Sequence, residues 1–199
     1  MKIATYQTIN FICQATSSAW LDQALDNINI ILLDHSHCEL KAANNALNLI
    51  FRYSSYPKLI EYLTAIAKEE LEHFSQVNKI LADRQIAPAP LTPPPYAAGL
   101  KKQIRSNGPE RLLDALLVGC LIEARSHERL GLLGAHLPDP KLAAFYRSLM
   151  ASEARHFGAF WSLADTYFDR TLVQARLTEL AEIESELLVN LHPEPRIHS

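Results

Sequence analysis

Two short stretches of the chain place a carboxylate and an imidazole three residues apart: KEELEHF, with Glu70 and His73, and SEARHF, with Glu153 and His156. On a helix that spacing puts both side chains on one face about one turn apart, so each pair can grip an ion from one side. Chance alone yields roughly 0.6 such pairs in a chain of this composition, so the motifs need corroboration. It lies upstream. Glu39, in DHSHCELKAA, precedes Glu70 by 31 residues, and Glu123, in LLVGCLIEARSHER, precedes Glu153 by 30. Requiring a glutamate at that offset twice lowers the odds by a further factor of roughly 0.04. Glu123 also follows the uncharged run ALLVGCLI, where a carboxylate is costly unless a cation meets it.

Four carboxylates and two imidazoles converging in the core of a helical bundle make a dinuclear metal site. Hard oxygens with two nitrogens and no thiolate disfavour structural zinc and favour iron or manganese. The expected roles are Glu70 and Glu153 as bridges, Glu39 and Glu123 as terminal ligands, and His73 and His156 serving one metal each. Several neighbours are secondary candidates. His35, one turn before Glu39, either supports the site or is a satisfied core histidine. Glu69 and Ser152 stand immediately before the two bridging glutamates. Glu69 would orient His156, while Ser152 would offer His73 only a weaker hydroxyl contact. Gly119, Cys120, Ala42 and Ala43 flank the terminal glutamates, where small residues leave room for a substrate or permit close helix packing.

Positioning these residues takes long helices. The 199 residues are 48% hydrophobic and 21% charged with only 6 glycines, a balance that favours an all-α domain spanning 1–199. Helices are expected at about 18–51, 57–83, 109–135, 140–167 and 170–190. The first carries Leu25, Ile28, Leu32, Leu33 and Leu40 at helical spacing; the second carries Leu59, Leu63, Ile66, Leu71 and Phe74. The last carries Leu172, Leu180, Ile183 and Leu187. Pro57 suits a first helical turn, as does Pro140 behind the cap candidate Asp139. Between Arg84 and Glu110 stand six of the 11 prolines, so the crossover at 84–108 is expected to be extended and stiff. Hairpin, long crossover and hairpin give a ferritin-like four-helix bundle with one long crossover plus a C-terminal helix.

The rest of the composition narrows the setting. No apolar run reaches the length of a membrane helix, and MKIATYQTINFICQ lacks the apolar core of a signal peptide. Cys13, Cys38 and Cys120 show no C-x-x-C and read as reduced thiols of a cytoplasmic protein. A net charge of −3 and a pI near 6.2 do not announce a nucleic-acid partner.

The stretches HCELKAA, LIFRY, AKEELEHF, RLLDALLVGCLIEARSHERL and FYRSLMASEARHF resemble the tRNA 2-methylthio-isopentenyladenosine hydroxylase family, of MiaE type, from about Trp20 to Ala175. All six ligand positions fall at that family's spacing. The resemblance implies a non-haem di-iron monooxygenase with Glu39, Glu70, His73, Glu123, Glu153 and His156 as its metal-binding and catalytic residues. It further implies two iron ions, dioxygen as co-substrate and an external electron donor. That donor would be a separate reductase or ferredoxin, since no flavin, NAD or iron–sulfur motif is present. The implied substrate is the modified adenosine beside the anticodon, in the tRNA anticodon loop, hydroxylated on its isopentenyl side chain. A monomer or small oligomer in the cytoplasm, with no membrane partner, is expected. Lys101, Lys102, Arg105 and Arg111 are candidates to meet phosphates, with a solvated charged face as the alternative. The competing readings are a ferritin-like iron oxidase or store, a manganese catalase using the same donor set, and a non-catalytic helical scaffold.

Overall fold

The computed structural model describes residues 11–199, so most of the stretch weighed as a signal peptide lies outside the described residues. Seven helices run α1 (Ser18–Asp26), α2 (Ile28–Arg52), α3 (Pro57–Asp83), α4 (Pro95–Lys101), α5 (Glu110–His136), α6 (Pro140–Tyr167) and α7 (Arg170–Leu187). No strand occurs among the described residues. Strong stop and start signals set several of these bounds. Pro57 and Pro140 each open a helix, and the Asp139 carboxylate accepts from the N–H groups of Lys141 and Leu142. Asp169 caps α7 in the same way through Thr171 and Leu172.

Two expectations about the elements need correction. The single first helix is two, because Asn27 breaks it. There the backbone leaves helical geometry (φ −126°, ψ 37°), the Asn27 N–H reaches back to the Ala24 carbonyl, and the side-chain amide donates to Gln23 O. Asparagine offers the backbone this alternative to the regular ladder. The crossover, in turn, is not extended throughout. Pro95 seeds the seven-residue α4, which buries Tyr96 and Leu100 four residues apart. Gly99 lets α4 approach closely, since a Cβ there would lie 2.6 Å from Leu187 Cδ2 on α7.

The core falls into two apolar clusters with a polar layer between them. One holds Leu59, Leu63, Leu113, Leu116, Leu117, Phe160 and Leu163; the other holds Ile31, Leu32, Val77, Leu81, Leu130, Leu133, Leu142 and Tyr146. Chain order along each helix fixes its direction. Helices α3 and α5 pass from the first cluster to the second, and α2 and α6 run the opposite way. The link from α3 to α5 must therefore travel the length of the bundle, about 40 Å for helices of 27 residues. That is the ferritin-like topology. Three residues expected in apolar stripes face outward instead: Leu40, Leu71 and Leu172 are all exposed.

After α7 the chain folds back into the protein. Arg196, Ile197, His198 and Ser199 are all buried. The Ile197 N–H donates to Asp34 Oδ2 at 2.7 Å, and Arg129 donates to Ser199 O at 3.0 Å. His198 stacks on Tyr96 with ring centroids 5.1 Å apart and lies 3.1 Å from Ser126 Oγ. Periodicity gave no sign of this segment. Among the described residues, no helix is long and apolar enough to cross a membrane.

Candidate metal centre

The polar layer is where the six residues meet. Glu39 comes from α2, Glu70 and His73 from α3, Glu123 from α5, and Glu153 and His156 from α6. Each is almost wholly buried, from 1% exposed at Glu70 to 7% at His73. They form two overlapping groups, Glu39–Glu70–His73–Glu153 and Glu70–Glu123–Glu153–His156. In each, one donor atom per residue lies within 4.8 Å of the others. Glu70 and Glu153, the two residues expected to bridge, belong to both groups.

Hydrogen bonds on the outer side orient both imidazoles. His156 Nε2 lies 2.9 Å from Glu69 Oε2, so the ring proton belongs on Nε2 and the Nδ1 lone pair faces the cluster. His73 Nε2 lies 3.3 Å from Ser152 Oγ. That hydroxyl already donates to Leu149 O at 2.7 Å, so it accepts from His73 and again leaves Nδ1 facing inward. Both neighbours expected to support the histidines are in place. Glu69 is itself tied to exposed Arg155 at 3.0 Å and is held below the usual carboxylate range, as His156 and Arg155 outweigh its partial burial.

The electrostatics of the inner face call for cations. Burial first, then Glu70, pushes Glu123 up to about 8; burial and Glu123 push Glu153 well above the usual range. Glu70 is also raised, by burial and by Glu39. Burial opposes the charge on His73, but Glu39 and Glu70 raise it to about 10. Glu70, Glu123 and Glu153 are thus biased towards holding protons that a metal would displace. Against its burial, by contrast, His35, with Glu70 and His73, holds Glu39 well below the usual range. The donor atoms crowd together without pairing off. His156 Nδ1 and Glu70 Oε1 lie 2.8 Å apart, yet neither makes an aligned hydrogen bond, and His73 Nδ1 has none either. The residues present fit a pair of divalent ions.

The smaller candidates divide. Gly119 is a packing glycine: a Cβ there would lie 2.8 Å from the Phe160 ring. Cys120 is buried, its thiol pushed up to about 12 by burial and by Glu123, and it donates to Phe157 O. Ala43 packs in the interior. The expected basic patch loses one member. Arg105 forks onto the fully buried carboxylate of Asp114, at 2.8 Å from both Nε and Nη2, and Arg176 binds the same carboxylate. Arg111 donates to Ser106 O. Lys101 and Lys102 remain exposed. Sequence reasoning missed Tyr146, two turns before Glu153, whose ring stacks on His35 at 5.4 Å. Its spacing from Glu153 was the available signal.

The family model described as tRNA-(MS[2]IO[6]A)-hydroxylase (MiaE) matches residues 3–199, well beyond the stretch from Trp20 to Ala175 that carries the resemblance. The tRNA 2-(methylsulfanyl)-N(6)-isopentenyladenosine(37) hydroxylase of Pseudomonas putida is 40% identical over 95% of this chain and 92% of its own length. The protein of the same name from Salmonella typhimurium is 32% identical over 96% of this chain and 88% of its own. A solved chain described as Protein 43 with aldehyde deformylating oxygenase activity from Synechococcus is 45% identical. The match covers 96% of both chains with a TM-score of 0.93.

Proposed function

The chain belongs to the MiaE family of tRNA hydroxylases, and on that premise we propose that it hydroxylates the isopentenyl side chain of 2-methylthio-isopentenyladenosine beside the tRNA anticodon. The observation that carries the reading is the pair of buried donor sets sharing Glu70 and Glu153. Glu39 and His73 would hold one iron, Glu123 and His156 the other, and the two shared glutamates both. Two ferrous ions supply what the side chains lack, the electrons that activate dioxygen for attack on an allylic C–H bond. The protein's own part is to keep the layer dry, to present Nδ1 of both histidines, and to hold the protons that the ions displace. Glu69 and Ser152 maintain the histidine tautomers. The cycle needs electrons from a reductase or ferredoxin, because the chain carries no redox motif of its own. Lys101, Lys102 and Arg111, which pair with no carboxylate among the described residues, are the charges of the basic patch left for an RNA phosphate. A cytoplasmic setting and a monomer or small oligomer accord with this role.

Mass spectrometry of tRNA nucleosides from cells with and without the protein tests the reading. The hydroxylated nucleoside should vanish and its unhydroxylated precursor accumulate when the gene is deleted. An unchanged nucleoside profile overturns it. A second reading, oxidative removal of an aldehyde carbon, is favoured by the description of the Synechococcus chain. Iron-loaded protein given dioxygen, a reductant and a medium-chain aldehyde should release no formate on the first reading; formate in stoichiometric yield would favour the second.

A further inference from the structure

His35 lies against the cluster, and the proposed reaction gives it no part. It stands one helical turn before Glu39 and is 1% exposed. Its Nε2 is 2.5 Å from Glu39 Oε1, close but off the line of an ideal hydrogen bond, and Nδ1 has no partner. The ring is clamped from α6. Tyr146 stacks on it at 5.4 Å with 21° between planes, and Phe145 flanks it at 6.2 Å. The Tyr146 hydroxyl is itself buried without a partner, so this tyrosine serves the histidine as an apolar plate. A ring held this way has one nitrogen near an acceptor. Only the Nε2–H tautomer puts a donor against the Glu39 carboxylate; the other opposes two lone pairs.

We infer that His35 is a positioning residue for Glu39: its clamped imidazole fixes one carboxylate oxygen and leaves the other for the metal. This rests on the reading of the cluster as a two-metal centre. His35 is not a seventh ligand, because it belongs to neither group of converging donor atoms. Packing alone does not account for it, since leucine would fill a dry site without burying two ring nitrogens. Among the described residues, the other half of the bundle has no counterpart. One turn before Glu123 stands Gly119, and the Phe160 ring fills that space. Glu39 is therefore held on its outer side and Glu123, among the described residues, is not, so two bound metals would sit in shells of different stiffness.

Cobalt(II) titration of the metal-free protein, followed by d–d absorption and by competition with a chelator, gives the two stepwise affinities without turnover. His35→Leu should weaken one step about 10- to 100-fold, the usual cost of losing a group that orients a ligand, and spare the other. The weakened step should be the one that His73→Ala removes. His35→Gln, whose amide reaches the same carboxylate, should restore most of the loss. Should His35→Leu fail to fold, His35→Asn, a donor too short to reach Glu39, takes its place. Unchanged affinities, equal weakening of both steps, or glutamine no better than leucine overturns the inference and leaves the metal reading standing. Wild-type protein taking up fewer than two cobalt ions overturns both.

Discussion

The two hairpins carry the same donor residues and surround them differently. In the α2–α3 half, Glu39 has a histidine against it, and its partner His73 leans on a neutral serine hydroxyl at 3.3 Å. In the α5–α6 half, Glu123 has a glycine one turn before it, and His156 leans on the carboxylate of Glu69 at 2.9 Å. Burial would raise both terminal glutamates. His35, with Glu70 and His73, overrides it at Glu39 and holds that group well below the usual range; nothing overrides it at Glu123, which stays up at about 8. The repeat thus preserves what binds and varies what tunes. A histidine backed by a carboxylate is the stronger donor to a metal, and a carboxylate clamped from behind is the less mobile ligand. The halves are alike in composition and unequal in chemistry.

The two glutamates common to both donor groups test the shared part of this comparison and should give the largest effect. Glu70→Ala and Glu153→Ala should each abolish turnover and lose both metals by elemental analysis, while the circular dichroism stays helical. Loss of a single metal from either variant would break the equivalence of the halves at its centre.

The pH dependence of metal uptake separates them next. At pH 7 the metal-free protein carries a proton on Glu123 (about 8) and on His73 (about 10), whereas Glu39 is already ionised. Each ion must displace protons, so affinity climbs with pH by about tenfold per unit for each proton released. Above about pH 8 the rise at the Glu123 site should slacken, since that carboxylate ionises unaided, while the protons on Glu70 and Glu153, shared with the other site, are still to be displaced. At the His73 site it should continue towards pH 10. Stepwise titration of zinc or cobalt across pH 6–9, with proton release measured directly, reads this out. Two identical pH profiles would contradict the asymmetry.

The outer contacts should give the smallest effects and rank them. Glu69→Gln should cost about 10- to 100-fold in metal affinity or turnover. Ser152→Ala removes one long neutral contact and should cost about fivefold, the equivalent of roughly 1 kcal/mol. An effect of Ser152→Ala equal to that of Glu69→Gln would show that the two histidines are supported to the same degree.

How much of this was legible in the sequence depended on signal length. The six cluster residues stood out because a repeated offset of Glu to Glu-x-x-His is improbable and chemically coherent. The bounds of α6 were readable at both ends, because Asp139 and Pro140 start it and Asp169 caps the next helix. Asn27 hid inside an apolar rhythm that continues on both sides of it, so one helix was expected where two exist. Seven residues are too few for periodicity to reveal α4 among prolines. Arg105 looked like a free charge because only the folded chain shows Asp114 buried nine positions ahead. His35 was visible as a neighbour of Glu39, but its stack on Tyr146 joins residues on different helices and no local pattern encodes it.

The segment after α7 has a consequence for the order of assembly. Each hairpin closes through contacts only tens of residues apart, whereas Ile197 and Asp34 are separated by 163 positions. Local contacts form first and distant ones wait on a costlier chain closure. On folding, therefore, both hairpins can dock before residues 196–199 find their places. Until that segment arrives, Asp34, Cys38, Ser126 and Arg129 lack the partners that finally cover them. Cys38 adjoins Glu39 in sequence, so the flank of the centre beside α2 is the last to be enclosed. A variant cut back to just before Arg196 would hold an assembled bundle with that flank open to solvent.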